Sequence, residues 1–367
     1  MVKKILSIFS VWFFLSAPDA QAQSFLSQGK WVQIEIGKTG MYRITKAELQ
    51  SMGFDLSNAD PRNFQIFGIQ GQGLPEMNSA EVRSQAPQIP CEVLGESDGV
   101  WDDLDAVYFF GQAAKDWEFN QVEYQHTNNF YSNKTYLVIG HGSVPGLRVM
   151  PQKTAIGAVS TTFKGSQVYY FHDSDIVNPA AMGRQWFGER LGNETLVRSF
   201  TESIPSIPND SLEIAFQVAS FVTEDTGSLI VTANGQAYRF ALRAIGGSYE
   251  PYYLLKGKIK VPANGSKLSL QFKLNRPNTK SYVLLDYFEV KRWESLGQNA
   301  TSTGIIRNNE LGMYNQNAYF EWLCTGATSL QVWNVSDPIH PSLMNVENLV
   351  SGNKRLLVSK DEPHHTF

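Results

Sequence analysis

Apolar and polar residues alternate without a break over residues 268–274, where the four apolar positions are Leu268, Leu270, Phe272 and Leu274. Residues 212–218 also carry an apolar side chain at every other position. A period of two places successive side chains on opposite faces of a β-strand. The pattern therefore predicts strands with one face on a core and the other in water.

Turn signals separate further runs of this kind. Asn234-Gly235 and Asn264-Gly265 lie between apolar-patterned segments, and each predicts a hairpin, because a type I′ turn needs positive φ at both central residues. More strands are predicted at residues 252–261, 281–290, 318–324, 329–335 and 354–358. Short strands at this spacing favour a jelly-roll-like β-sandwich over residues 164–362.

Residues 25–160 predict a separate N-terminal β-rich domain with one short helix. Two strands, 31–36 and 41–44, flank Gly37-Lys38-Thr39-Gly40, which predicts a hairpin. Thr45 and Glu48 have the spacing of a capping box, so residues 46–52 are expected to form the helix, with Gly53 ending it. Further strands are predicted at 64–67, 89–94, 106–110 and 135–139. The overall fold class is therefore mainly β.

Composition sets limits on function. The chain is 42% hydrophobic and 18% charged, which suffices for packed cores. Its length after removal of an export signal suits two domains or one large β domain. The formal charge of −4 provides no basic surface for a phosphate backbone, so we expect no nucleic-acid partner.

Residues 1–22 are typical of a signal peptide rather than of a buried N-terminal helix. Two lysines precede the apolar block 5–17, and Ala20 and Ala22 form the small-x-small pattern, which predicts cleavage between Ala22 and Gln23. No later stretch is apolar and long enough to span a membrane. We therefore expect export to the periplasm or the outer-membrane cell surface, without a transmembrane segment.

No complete catalytic centre is predicted. His141 lies between two glycines at a strand end, as does the histidine of caspase-like and gingipain-like peptidases, and Cys324 is the cysteine downstream. Cys324, however, lies in a predicted strand of the other domain. We therefore expect no working dyad, and His141 is interpreted as a strand-end turn residue. Cys91 and Cys324 are expected to be two buried thiols, with a disulfide between them left open.

Other candidate sites have plainer interpretations. Two acidic clusters could supply oxygen ligands to calcium, but acidic turn residues are the preferred interpretation. We predict no cofactor and no metal, since no zinc motif occurs. The glycines from 68 to 73 predict a β-turn rather than a phosphate cradle. The acidic clusters are Asp102, Asp103 and Asp105, and His172, Asp173 and Asp175. A packing role is expected for Arg184, Trp186 and Glu189, and a frayed tail for His364 and His365.

Seven stretches, taken in order, resemble the gingipain-related sortases of the type IX secretion system. The most specific has the sequence NPAAMGRQWFGE. Together they extend over nearly the whole chain after the signal. They are residues 31–45, 68–76, 100–111, 128–132 with Tyr136, 178–189, 281–290 and 332–338.

The resemblance implies a specific role. Members of this family are cysteine peptidases at the outer-membrane surface of Bacteroidota, which remove the C-terminal sorting domain of secreted cargo and join the new carboxyl end to a surface lipopolysaccharide. Their peptidase domain follows the sandwich, and the sequence stops near that boundary, so no catalytic residue is carried over. The resemblance thus implies an accessory N-terminal region, expected to be truncated. Its implied partners are secreted cargo and outer-membrane secretion components.

Two alternatives stay open. One is a free-standing cell-surface sandwich module that binds glycan or protein, which an exposed aromatic cluster would favour. The other is an active peptidase that uses His141 and Cys324.

Overall fold

The computed structural model describes residues 29–71, 86–129, 131–181, 183, 185–203, 211–246, 251–263, 267–295, 304–308, 316–323, 330–361 and 365–366. The fold is mainly β, with 54% strand and 5% helix, which confirms the predicted class. The predicted signal peptide with Ala20, Ala22 and Gln23 lies outside these residues and stays a prediction. Within them, no helix has the length and apolar character needed to cross a bilayer.

The N-terminal unit consists of two small sheets around one core. One sheet has the order β1-β9-β3-β4 and the other β2-β6-β5, and a β7-β8 hairpin extends from the unit. Its elements are β1 (Trp31–Ile36), β2 (Gly40–Thr45), α1 (Lys46–Ser51), β3 (Phe64–Phe67), β4 (Gln88–Ile89), β5 (Glu92–Leu94), β6 (Ala106–Gly111), β7 (Lys115–Phe119), β8 (Tyr124–Asn128) and β9 (Thr135–His141).

The helix prediction is confirmed and the hairpin prediction is wrong. At the start of α1, Thr45 and Glu48 form both bonds of the capping box, and Gly53 has φ +83° beyond its end. The strands β1 and β2 instead pair with β9 and β6, in different sheets. The glycine turn therefore carries the chain from one layer to the other, which places Ile36 and Ile44 in the core between the sheets.

The sandwich consists of two sheets. Its large sheet has the order β18-β15-β20-β12-β21-β27, with β13 beside β20, and the smaller sheet has the order β14-β19-β16-β17. The strands from β10 to β20 are β10 (Met150–Pro151), β11 (Val159–Phe163), β12 (Gly165–Asp173), β13 (Arg190–Leu191), β14 (Val197–Ser203), β15 (Ser211–Phe221), β16 (Ser228–Ala233), β17 (Gln236–Ala241), β18 (Tyr253–Pro262), β19 (Lys267–Asn275) and β20 (Tyr282–Ser295). Those from β21 to β27 are β21 (Arg307–Asn308), β22 (Asn317–Leu323), β23 (Val332–Asn334), β24 (Ser342–Met344), β25 (Val346–Asn348), β26 (Asn353–Val358) and β27 (His365–Thr366).

The alternating residues of the sequence form the sandwich core, as predicted. The apolar side chains of β19 are at most 1% exposed and pack against those of β15 and β20. Asn234 and Gly235 have φ of 47° and 85° between the paired strands β16 and β17, which confirms that hairpin. The second predicted hairpin is wrong: residues 264–266 lie outside the described residues, but β18 and β19 on either side belong to different sheets.

A third group of sheets combines strands from distant parts of the chain. Here β11 pairs in parallel with β22, and β10 pairs in parallel with β24. The sheets β10-β24-β23 and β11-β22-β26-β25 enclose a core of their own, which includes Phe320 and Leu356. The frayed tail predicted for His365 is also wrong, because His365 and Thr366 form β27 against β21.

Candidate functional site: the groove beside the β7-β8 hairpin

The β7-β8 hairpin of the N-terminal unit packs on the outer face of the large sheet of the sandwich. Alternation in β12 turns Tyr169, Phe171 and Asp173 outward, on the face opposite Tyr170 of the core. The ring of Trp117 on β7 lies 4.8 Å from that of Tyr169 and 5.7 Å from that of Phe171. This contact joins the N-terminal unit to the sandwich that follows it in the chain.

A buried ion cluster stabilises the same contact. His126 Nδ1 lies 2.7 Å from Glu289 Oε1 and its Nε2 lies 3.1 Å from Asp173 Oδ2, and all three side chains are at most 8% exposed. The backbone N–H of His126 also donates to Glu289, and Asn128 donates to Asp173. The imidazole stacks on Phe171 at 4.9 Å. One histidine thus bridges two strands, β12 and β20, from a third element.

The charge state of His126 follows from these partners. Burial alone lowers the pKa of the imidazole, but the hydrogen bonds and charges of Asp173 and Glu289 outweigh burial and raise the pKa to about 9. Burial likewise opposes ionisation of Asp173, yet bonds from His126 and Asn128 hold the pKa of its carboxyl below the usual value. His126 is therefore an imidazolium at neutral pH and donates through both nitrogens.

Three more polar contacts join the hairpin to the other units. Glu123 pairs with Lys291 at 2.7 Å, and Arg307 pairs with Asp116 at 3.2 Å. The hydroxyl of Tyr124 lies 2.9 Å from that of Thr366 in β27. The hairpin is thereby tied to four strands of the large sheet, β12, β20, β21 and β27.

A groove of ≈ 1300 Å³ opens on this sheet face beside the hairpin. The register places Ala215 of β15 between Lys258 of β18 and Glu289 of β20 on the groove floor. One wall is formed by β8 with Asn129 and residues 131–133, and residues 185–186 close another side. Within the described residues, no group of three or more His, Cys, Asp or Glu side chains is arranged to hold a metal ion.

Asp286 lies in the same groove at an irregularity in the pairing of β15 with β20. It is 9% exposed and accepts a hydrogen bond from Gln217. Burial raises the pKa of its carboxyl to about 6, with a further contribution from the negative charge of Asp173, although the Gln217 bond opposes the shift. This carboxyl is therefore the least acidic of the carboxyls around His126 whose pKa is shifted.

The two acidic clusters of the sequence do not converge. Asp173 pairs with His126 and Asp175 with Lys115, whereas His172 points to the opposite face of β12, where it bonds Glu189 at 2.8 Å. Asp105, which is 4% exposed, accepts from the backbone N–H of Asp102 in a turn. Asp103 is exposed and pairs with Lys46. The alternation of β12 places His172 and Asp173 on opposite faces of the sheet. In the other cluster, Asp105 stabilises a turn.

His141 is half-buried among aromatic rings, as the last residue of β9. Its Nε2 accepts a hydrogen bond from Trp101 Nε1 at 3.2 Å, and the rings of Phe54 and Phe64 lie 5.8 and 5.4 Å away. Burial lowers the pKa of His141 to about 4, so the imidazole is neutral at pH 7. A nitrogen that already accepts a hydrogen bond from an indole is poorly placed to take a proton from a thiol.

The cysteines and the remaining predicted residues are placed as follows. Cys91 is a fully buried free thiol whose pKa burial raises to about 12, while Cys324 lies outside the described residues. Arg184 also lies outside them. Trp186, expected to pack, is instead 44% exposed in the groove, and Glu189 bonds His172.

Sequence reasoning missed His126, Glu289 and Asp286, the polar centre of this site. Two signals could have revealed the hairpin that carries His126. Aromatic residues recur at alternate positions in 117–119 and 124–126, and Asn120 stands between the two runs. In the structure, Asn120 Oδ1 accepts from the backbone N–H groups of Val122 and Glu123 and so closes the turn.

Comparison with solved structures shows an extensive likeness. A crystal structure of dimeric latent PorU from Porphyromonas gingivalis matches with a TM-score of 0.79 and 20% sequence identity, over 94% of this chain and 32% of that chain. The fold is one found in part of PorU. This chain spans about a third of the length of the PorU chain. No model of a known protein family and no curated protein matches the sequence.

Two other solved structures match far less closely. The carbohydrate-binding module CBM36 in complex with calcium and xylotriose has a TM-score of 0.23 and 12% identity, over 34% of this chain and 98% of that chain. A cycloalternan-forming enzyme from Listeria monocytogenes, in complex with a pentasaccharide, has a TM-score of 0.24 and 10% identity, over 69% and 22%. At these scores neither likeness supports a shared fold or function.

Proposed function

We propose that this chain is a non-catalytic, accessory region of a type IX secretion sortase-like protein of the gingipain-related cysteine peptidases. In this role it supports removal of the C-terminal signal from secreted cargo and attachment of the cargo at the cell surface. The observation that carries the proposal is the shared fold with PorU, a type IX sortase, over 94% of the chain. The ordered sequence stretches noted above support the same assignment independently of the fold.

The site geometry fits an accessory role. His141, the histidine placed like a peptidase base, is neutral and engaged with Trp101. The β7-β8 hairpin instead holds the N-terminal unit against the sandwich, as a rigid support for a neighbouring domain requires. We place the protein at the outer-membrane surface, reached through the predicted signal peptide, with secreted cargo and outer-membrane secretion components as partners.

Deletion of the gene in its own bacterium tests this role. We expect secreted cargo to keep its C-terminal sorting domain, measured by intact-mass spectrometry of cell-surface and periplasmic fractions. The wild-type gene should restore processing, and so should a Tyr136→Ala variant, because Tyr136 lies on the surface away from the groove. Normal cargo processing in the deletion strain would refute the proposal.

The purified chain separates the accessory role from the peptidase alternative. We expect it to leave a peptide spanning a cargo cleavage site intact over hours at neutral pH. Hydrolysis that disappears in a Cys324→Ala variant would instead establish an active peptidase.

A further inference from the structure

Two aromatic side chains stand exposed in the groove beside the hairpin. Trp186 is 44% exposed and Tyr131 is 67% exposed, and both line the groove. Single exposed apolar residues are ordinary on a protein surface, but two rings in one concave site form a surface suited to a ligand. Tryptophan and tyrosine offer rigid contact area with few rotatable bonds, so little entropy is lost when a ligand covers them.

The rest of the groove lining is polar, and ion pairs neutralise most of its charged side chains. Asp173 and Glu289 share the charge of His126, Glu123 pairs with Lys291, and Asp175 pairs with Lys115. These ion pairs fix carboxylate oxygens in place and leave little net charge for an ionic ligand. The side-chain amides of Gln125, Asn133 and Gln185 add donors and acceptors along the walls.

We propose that this groove binds an oligosaccharide. A sugar ring has an apolar C–H face that packs on an aromatic ring and a rim of hydroxyls that both donate and accept hydrogen bonds. Exposed rings beside fixed carboxylates and amides match both properties. The volume of ≈ 1300 Å³ exceeds the ~300–1,000 Å³ of ordinary small-molecule pockets, which favours several linked sugar units over a monosaccharide.

The competing occupants fit less well. A metal ion lacks a suitable group of side chains in the described part of the chain. An extended peptide would pair with the edge strand β18, but Lys256, Lys258 and Lys260 lie along it, and lysines on an edge strand oppose such pairing. An oligosaccharide, which binds through its ring faces and hydroxyls, does not need to pair with a strand edge.

An array of immobilised oligosaccharides, with linear oligomers of glucose, xylose, mannose, galactose and N-acetylglucosamine, tests the proposal on the purified full chain. We expect binding to at least one sugar, confirmed by isothermal titration calorimetry with that sugar in solution. Trp186→Ala and Tyr131→Ala should each weaken binding about tenfold, as expected when a central contact ring is truncated. Tyr136→Ala, another exposed aromatic outside the groove, should leave affinity unchanged.

Two further measurements keep the test specific. Circular dichroism and the melting temperature should match wild type in both groove variants, because their side chains are exposed. Where the bound sugar carries free vicinal diols, periodate oxidation, which cleaves them, should abolish binding. The proposal fails if no sugar on the array binds, if the groove variants bind like wild type, or if a sugar whose diols have been cleaved still binds. Such a failure would not affect the proposed secretion role, which the gene deletion tests separately.

Discussion

Two histidines of this chain experience opposite electrostatic surroundings. His141 is enclosed by aromatic rings with no carboxylate in contact among the described residues, so burial favours its neutral form. His126 is buried between two carboxylates, which favour its charged form. The sequence around each histidine does not predict whether its imidazole is charged, because the groups that contact it come from other strands. The two residues should therefore shape opposite ends of the pH–stability profile.

Protonation of His141 should destabilise the protein in acid. Its folded pKa of about 4 lies below the ordinary 6.5, so the unfolded chain binds more protons between these values and stability falls as pH falls through this window. The shift corresponds to about 3 kcal/mol at most. We expect His141→Phe to flatten the decline, measured by urea unfolding from pH 7 to pH 4. An NMR titration of the His141 imidazole with a midpoint near 6.5 would contradict this.

Loss of the proton from His126 should destabilise the protein in alkali. Its folded pKa of about 9 lies above the ordinary 6.5, so its contribution is fully present below pH 6.5 and is lost as pH rises through about 9. His126→Gln removes the positive charge between two buried carboxylates and should cost roughly 3–5 kcal/mol at pH 7. The variant should also lose the alkaline decline in guanidinium unfolding. The double variant with Asp173→Asn should be less destabilised than the two single effects added together, and simple additivity would contradict the coupling.

At the scale of elements, local patterns predicted strands well and their partners poorly. The alternation in β15 and β19, the capping box of α1 and the Asn234-Gly235 turn all act through neighbours in sequence, and the structure confirms them. The pairing of β1 with β9 depends instead on which layer each strand enters, and a glycine turn suits a hairpin and a layer crossing equally. The groove could not be predicted from the sequence for the same reason, since its residues come from both units.

The β16-β17 turn offers a test of one local prediction. Gly235 has φ +85°, and a Cβ added there would meet no other atom within 4 Å. An added methyl group would therefore strain the backbone without clashing. We expect Gly235→Ala to cost about 1–2 kcal/mol. Gly37→Ala is the matched control, because Gly37 also has open space but no positive φ, and it should be neutral or slightly stabilising. Equal denaturant midpoints for the two variants would show that the turn tolerates a side chain.

At the scale of the whole molecule, the β7-β8 hairpin couples units that have separate cores. Trp117, which is 7% exposed, contributes the largest apolar side chain of this contact. Trp117→Ala should cost about 3–5 kcal/mol, and the lost contact should weaken the coupling between the N-terminal unit and the sandwich. We expect calorimetry to show one unfolding transition for wild type and two for the variant. A single transition, merely shifted to lower temperature, would mean that the units are coupled elsewhere.

The parallel pairing of β11 with β22 has a consequence for how the molecule matures. Gly165 and Ser295 lie opposite each other, so the whole sandwich segment leaves and returns at one place, nested between two adjacent strands. A ribosome completes the inner segment before it synthesises β22, so β11, with the partly buried Phe163 at its end, has no partner strand until then. The sheet β11-β22-β26-β25 therefore forms last, and the nascent chain exposes the unpaired edge of β11 until the final strands have been synthesised.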